Sequence, residues 1–402
     1  MLIFLCTFAN YYLLPTMDFS HILTDSYTLT LTCMLVVSWA VLCLYYGIFY
    51  VKVGRYKGPK IKKDESLRKN ELSPVSVVMT AQNDADKLRA NLLYVLEQDY
   101  PTFEVVVVDN RSNDDTKFVL QMLSQNYPNL KVVRFDSDAN GYQGKKYPFA
   151  IGIKSAQYDL LLLTDPECVP KDITNFCWIR EMVMGYASEA TTIVLGYCGI
   201  RSKRSLFNWL QQYDNMEYSV EYLGAAIRRH PFTGNGRNLS YRRSMFMKRG
   251  GFIYHYHVPD GADDMFINQN ASRRNTTVVL SDGSFTVVEP KHSVREWHDY
   301  RKHRMSTHKY YSLGLKISRL MRPLAVLLFY LSAALLLIGW KFPWQVLAGV
   351  VVLKLAWQIV AAAKATDKLD IKPIVYWLSP LFEIYFLIAN TILRIIPLSK
   401  KN

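Results

Sequence analysis

No pair among the six cysteines, Cys6, Cys33, Cys43, Cys168, Cys177 and Cys198, forms a C-x-x-C motif, and none has zinc-ligand spacing. That excludes a structural zinc site and a disulfide framework as organising devices. Cys168 has no nearby His in sequence and reads as a small packing residue rather than a nucleophile. No recognised nucleic-acid-binding motif accompanies the net charge of +14, whose basic residues gather at 52–63 and 295–322 beside apolar segments. Such placement suits anionic lipid headgroups and argues against nucleic acid as a partner. No internal repeat or long low-complexity tract interrupts the chain. No charged residue occurs between 26 and 51, and Lys52, Arg55, Lys57, Lys60, Lys62 and Lys63 follow at once. A helix rising about 1.5 Å per residue crosses the hydrocarbon core over that distance, with its basic flank expected in the cytoplasm.

The remaining apolar segments complete a layout for the 402 residues. Residues 1–25 form an N-terminal segment too short in its apolar part to span; it can lie upstream of the true start if translation begins at Met17. Then come a transmembrane helix at 26–51, a basic juxtamembrane linker at 52–73, a catalytic domain at 74–290 and a basic amphipathic membrane-interface segment at 291–322. Two or three transmembrane or re-entrant helices at 323–396, from apolar stretches at 323–340, 342–363 and 373–396, precede a tail at 397–402. Lys354 and Glu383 fall near the middle of the last two stretches. An isolated charge there costs at least about 2.5 kcal/mol, so the two are expected to approach each other. Four spans would leave Lys400 and Lys401 outside, which favours a re-entrant or interfacial last segment.

Between 74 and 290 the pattern alternates. Residues 75–79, 105–108, 131–135 and 160–163 read as strands, and 84–98, 113–125 and 145–155 as helices, the first with Leu88, Leu92, Leu93 and Leu96 inward. A further amphipathic helix is expected at 265–272. Strict alternation implies right-handed βαβ units, hence an α/β fold with a mostly parallel sheet, flanked by transmembrane helices.

Acidic groups stand where strands end: Asp109, the triplet Asp165-Pro166-Glu167, and later Asp263-Asp264. The carboxyl ends of parallel strands are where an open sheet places ligands. Pro166 disfavours a helical Asp165, so both carboxylates of the triplet can face one Mg2+ or Mn2+ while leaving positions for phosphate; a solvated acidic turn is the alternative. The loops 80–84 and 109–114 suit a nucleoside, with Thr80, Asn83, Asp109 and Asp114 as candidate contacts. Asn83, Asp84, Asn113 and Asp114 serve equally well as helix N-caps, whereas Asp109 lies too early to cap. Lys145 and Lys146 open a helix where cations are disfavoured by a few tenths to about 1 kcal/mol, so a diphosphate is a natural counter-anion, with solvated lysines the alternative. Asp263 or Asp264 can act as general base, or simply favour a helix dipole.

Taken in order, Val75-Ser-Val-Val-Met-Thr-Ala-Gln-Asn83, Gln98-Asp-Tyr-Pro101, Val107-Val-Asp-Asn-Arg-Ser-Asn-Asp114, Gly144-Lys-Lys146 and Thr164-Asp-Pro-Glu-Cys-Val-Pro170 resemble glycosyltransferase family 2. The likeness covers about residues 74–270, and the layout resembles membrane-bound bacterial members. It implies a GT-A fold, a nucleotide-sugar donor (usually a UDP-sugar), and inversion at the anomeric carbon. It assigns Asp109 to the nucleotide, Asp165 and Glu167 to a metal-diphosphate site, and Asp263 or Asp264, the latter preferred, to acceptor activation. Gly234 and Asn235, in Thr233-Gly-Asn-Gly236, resemble the loop near the acceptor and sugar; an ordinary turn is the alternative.

Two departures from the family pattern stand out. Glu167 replaces the second Asp of the usual Asp-x-Asp. Tyr300-Arg-Lys-His-Arg304 stands where processive members such as cellulose synthase carry Gln-x-x-Arg-Trp. His303 and Arg304 can still reach the diphosphate, or belong to a cationic membrane-surface stretch with Trp297, Tyr310 and Tyr311 as interfacial anchors.

The expectation is an inner-membrane inverting glycosyltransferase, its catalytic domain cytoplasmic, acting on a lipid-linked or glycan acceptor. A processive polysaccharide synthase, a non-catalytic nucleotide-sugar-binding membrane scaffold and a transporter are the rival readings.

Overall fold

The computed structural model describes residues 25–59, 72–135, 144, 146–256, 258, 261–339 and 342–395. Along the chain, α1 (Ser26–Tyr45) continues through a π-helical turn (Tyr46–Val51). After it the alternation begins: β1 (Val75–Ala81), α2 (Ala85–Leu96), β2 (Phe103–Asn110), α3 (Thr116–Asn126), β3 (Leu130–Phe135), α4 (Lys146–Ser155) and β4 (Leu160–Leu163). These elements match the expected ones with shifted ends. Asp109 lies inside β2 rather than after it, and α3 starts at Thr116 because the preceding polar residues are spent bracing loops. On α2 the buried stripe is Leu88, Leu92, Val95 and Leu96, with Leu93 only half-buried.

The main sheet has the order β3-β2-β1-β4-β8-β6-β9. β1 pairs in parallel with both β2 and β4, and β2 with β3. Every residue of β1 is buried, as expected of a strand covered on both faces. The α4 helix approaches so closely at Gly152 that a Cβ there would meet Val108 Cγ2 at 2.8 Å and Val78 Cγ1 at 2.9 Å.

Beyond β4 the direction changes. β8 (Leu239–Arg242) runs antiparallel to β4, with Leu163 opposite Leu239, and antiparallel to β6 (Ile193–Leu195), which pairs in parallel with β9 (Thr276–Val278). A small second sheet, β5-β10-β7, joins β5 (Cys168–Pro170), β7 (Cys198–Ile200) and β10 (Thr286–Val288); β10 is antiparallel to β5. The intervening helices include α5 (Trp178–Val183), α6 (Leu206–Ile227), α7 (Asp264–Asn270) and α8 (Val294–Ser306), besides a short one at Arg243–Lys248. Ser293 caps α8 by accepting from Glu296 N at 3.1 Å.

α8 differs from the membrane-interface segment expected at 291–322. Trp297 and Arg301 are 2% exposed and Tyr311 is buried, so the stretch folds onto the domain rather than presenting Trp297 and Tyr311 as interfacial anchors. The physical reason is Asp214 on α6, which draws Arg301 and Arg304 inward. Only Tyr310 of the three aromatic residues is exposed.

α1, α9 (Leu313–Ile338), most of α10 (Trp344–Lys368) and α11 (Ser379–Ile395) belong to a second compact unit. Among the described residues three helices are long and apolar enough to cross a membrane: Ser26–Gly54, Leu313–Ile338 and Trp344–Lys368. α9 begins ten residues before the apolar stretch expected at 323–340. Pro323 is accommodated inside the helix, where it forfeits one backbone hydrogen bond instead of starting the element. In this unit Glu383 accepts from Lys354 Nζ and Tyr46 OH, with Arg322 Nη2 at 3.5 Å. Lys354 also reaches Gln358 Oε1 at 2.7 Å. The expected pairing of Lys354 with Glu383 is therefore present.

Candidate active site

Three parallel strands that end together bring three loops together. Ala81 lies opposite Asp109, and Val78 opposite Leu163, so the residues after β1, β2 and β4 share one edge. The first two loops are laced to each other. Asn83, with φ of 54°, receives Asn113 N on Oδ1 at 2.8 Å, and its own N–H donates to Ser112 Oγ at 3.0 Å. Asp114 Oδ2 accepts from Ala85 N at 3.1 Å and its Oδ1 from Thr116 N at 3.0 Å, so one carboxylate serves the first turns of two helices. Partial desolvation opposes the charge on Asp114, but these N–H groups outweigh it and hold the carboxyl below its ordinary range. Asp109 is buried and accepts from Ser112 N at 3.2 Å; Thr80 is buried beside it on β1.

The triplet after β4 meets two cations that the sequence reading did not select. In the β4–β8 register, each step past Leu163 is matched by a step before Leu239, which places Asp165 opposite Arg237. Arg237 Nη2 bonds Glu167 Oε1, and its Nε lies 3.7 Å from Asp165 Oδ2. By the same logic, β10 runs antiparallel to β5, so residues following Val288 lie beside residues preceding Cys168. Lys291 Nζ thus reaches Glu167 Oε2 at 3.1 Å. Burial disfavours the Glu167 charge, yet the Arg237 and Lys291 cations hold its carboxyl down at about 2. Arg237 also donates to Tyr300 OH at 3.0 Å and lies 4.7 Å above that ring.

Asp264 opens α7, and its carboxylate is ringed by hydroxyls. Oδ1 accepts from Thr233 Oγ1 at 2.5 Å and from Tyr311 OH, and Oδ2 accepts from Thr307 Oγ1. Its neighbour Asp263 does a different job: Oδ2 accepts from Gly236 N at 2.5 Å. Gly236 has no room for a side chain, because a Cβ would meet that same oxygen at 2.8 Å. Burial and then the Asp264 charge push the Asp263 carboxyl up. Gly234 O accepts from Tyr218 OH at 3.1 Å, and buried Asn235 accepts on Oδ1 from Arg237 N at 3.2 Å. The loop 233–236 is therefore built between the acidic pair and Arg237.

The remaining expected site residues that the structure describes have partners of their own, and Arg304 lines a cavity with Arg237, Lys291 and Tyr300. Lys146 is buried, and its Nζ donates to His255 O at 2.7 Å and Val258 O at 2.8 Å, so it clamps a loop by its carbonyls; Lys145 lies outside the described residues. Arg304 Nη2 is held by Asp214 Oδ2 at 2.8 Å, and its guanidinium lies over Tyr218, while His303 is exposed. Arg237, Lys291, Asp214 and Thr307 went unselected. Their signal was register and burial, which spacing does not carry.

The mostly parallel sheet with its acidic edge defines a class, and comparison with known proteins gives the family. Residues 76–252 match the family model described as Glycosyl transferase family 2. Poly-beta-1,6-N-acetyl-D-glucosamine synthase from Staphylococcus epidermidis is 24% identical over 210 residues, covering 52% of this chain and 47% of that protein. The chain spans about half the length of the curated relatives it matches. Among solved structures, a mannosyltransferase, PcManGT from Pyrobaculum calidifontis, in complex with GDP-Man and Mn2+, superposes with a TM-score of 0.57. It has 19% sequence identity and covers 90% of this chain and 96% of that one, a likeness of fold. The fold is GT-A, as the resemblance implied.

Proposed function

We propose that this domain transfers a sugar from a nucleotide-sugar, a UDP-sugar by preference, to a hydroxyl of a lipid-linked or glycan acceptor, with inversion. The observation that carries the reading is the Asp264 carboxylate with its three hydroxyl donors. An acceptor hydroxyl needs the seat that Tyr311 OH holds. In that seat Asp264 takes its proton, the oxygen bonds to the anomeric carbon, and the bond to the diphosphate oxygen breaks with its electron pair. Thr233 and Thr307 hold the carboxylate aimed, while Asp263 fixes the loop 233–236 beneath it. Asp109, Thr80, Asn83 and Asp114 line or brace the nucleotide end of the edge.

Asp165 and Glu167 are adjacent hard oxygen donors, suited to Mg2+ or Mn2+, although both now face Arg237. When bound, such an ion supplies neutralisation of the charge on the departing diphosphate. The apolar helices and the basic flank after the first support a multi-pass protein of the inner membrane, its catalytic domain cytoplasmic. Processive synthesis is the second reading, favoured by the polymer synthase in the comparison.

The test is release of nucleoside diphosphate by the full chain in native-lipid nanodiscs. It uses a panel of nucleotide-sugars with Mg2+ or Mn2+ and membrane extract as acceptor. Wild type is expected to turn over one donor; Asp165→Asn and Asp264→Asn are expected to abolish it, the latter by about 10²–10⁴-fold. Product length separates single transfer from processive synthesis. Nucleotide binding without turnover of any donor would overturn the reading in favour of a scaffold.

A further inference from the structure

Glu167 is an unusual metal ligand in waiting, because both of its oxygens are engaged by cations of the protein itself. Asp165 faces the same guanidinium. Asp165 and Glu167 are matched by two cations, Lys291 also has Glu296 Oε1 at 3.6 Å, and the central pair is largely shielded: Arg237 is 12% and Glu167 22% exposed. A divalent ion approaching Asp165 and Glu167 alone would bring positive charge against Arg237 and Lys291 at hydrogen-bonding range of the same oxygens. A diphosphate approaching alone would bring negative charge against Asp165 and Glu167. Arriving together, the ion takes the carboxylates and the diphosphate takes the cations.

Arg237 is built to make that exchange. Its carbonyl is pinned by Thr164 Oγ1 at 3.3 Å and Thr286 Oγ1 at 3.1 Å, so its backbone is fixed and an exchange of partners falls to the side chain. The ring of Tyr300 lies under the guanidinium as a platform, and Lys291 Nζ is 5.9 Å from the same ring. A cavity lined by Asn215, Arg237, Lys291, Tyr300 and Arg304 opens beside it.

We infer that Arg237 and Lys291 form a cationic latch that keeps a divalent metal off Asp165 and Glu167 until a diphosphate draws the two cations away. The inference rests on the reading of this edge as a nucleotide-sugar site. Its consequence is mutual dependence: metal and nucleotide each bind weakly alone and strongly together, and by linkage each strengthens the other by the same factor. The latch thereby guards against a metal-loaded site without donor.

The experiment measures Mn2+ binding by electron paramagnetic resonance of the free ion. It uses the full chain in nanodiscs, with and without UDP, with empty nanodiscs as blank. For wild type, UDP is expected to tighten Mn2+ binding at least about tenfold, equivalent to 1.4 kcal/mol of coupling. In Arg237→Gln/Lys291→Gln, Mn2+ alone is expected to bind about tenfold tighter than to wild type, and the UDP effect to shrink. Arg237→Lys, which retains a cation, is expected to keep the weak binding of Mn2+ alone. Lys291→Gln by itself, at a partly exposed position, carries the comparison if the double variant fails to fold. Equal Mn2+ affinity in wild type and variants, or tight Mn2+ binding to wild type without UDP, would overturn the latch. If UDP fails to bind under every condition, the nucleotide reading falls, and Mn2+ alone against wild type and variant still decides the latch.

Discussion

The two halves of the main sheet place the residues of the candidate site by different rules. In the parallel half, β1, β2 and β4 deliver whatever follows each strand to one edge, so Asn83, Asp109 and Asp165 converge because each comes just after, or at, a strand's end. In the antiparallel half, β4 meets β8 head to tail, and Asp165 is joined by a residue that precedes a strand, Arg237. The small sheet repeats the device with Lys291. Parallel pairing gathers acids, and antiparallel pairing supplies their counter-cations. At the join, therefore, the gathered carboxylates are met by cations.

Glu167→Gln tests that balance most severely. It removes the carboxylate that Arg237 and Lys291 share, and the expected cost is about 1–3 kcal/mol, read as a lowered Tm on thermal unfolding of the full chain. No loss would mean that the join is not a stabilising contact. Tyr311→Phe comes next, because it frees one seat on Asp264 without touching the loops of the parallel half. Acceptor KM is expected to fall, and donor hydrolysis to rise, by about tenfold or more, the worth of a hydrogen bond to a charged group. Unchanged KM would show that the acceptor does not use that seat.

In the parallel half, Asp114→Ala removes the cap shared by α2 and α3. It should cost about 1 kcal/mol of stability and raise donor KM, leaving acceptor KM alone. The smallest effect is expected from Asp263→Asn, which preserves an acceptor for Gly236 N but removes a charge beside Asp264. Because the folded carboxyl is raised, its ionisation costs stability as pH rises through that value. The variant should melt slightly higher than wild type at neutral pH, and the difference should vanish in acid, where both are uncharged at this position. A difference that grew in acid would reverse the assignment.

Much of the parallel half was legible in the sequence. Residues 160–163 match their strand to the residue, and the acids at strand ends are visible because apolar runs stop there. Lys354 with Glu383 was legible for a simpler reason: a charge in an apolar helix needs a partner. Arg237 was not, since one Arg after a Gly-Asn-Gly turn looks like surface until register sets it opposite Asp165. Lys291, Arg301 and Arg304 belong to a basic run that composition alone cannot separate from lipid-facing charge. Asp214 could not be singled out from α6, whose inward face carries many buried polar groups. Burial of polar residues depends on partners far along the chain, and local periodicity does not report partners.

The knot of Lys354, Glu383 and Tyr46 bears on how the protein is made. A chain delivered to a bilayer one helix at a time would present α10 with its lysine before α11 brings the matching carboxylate. For that interval the lysine has Gln358 Oε1 of its own helix at 2.7 Å and Tyr330 OH of α9 at 3.1 Å as its polar partners. The lysine thus keeps neutral polar partners until α11 docks, and only then is its charge matched by a carboxylate.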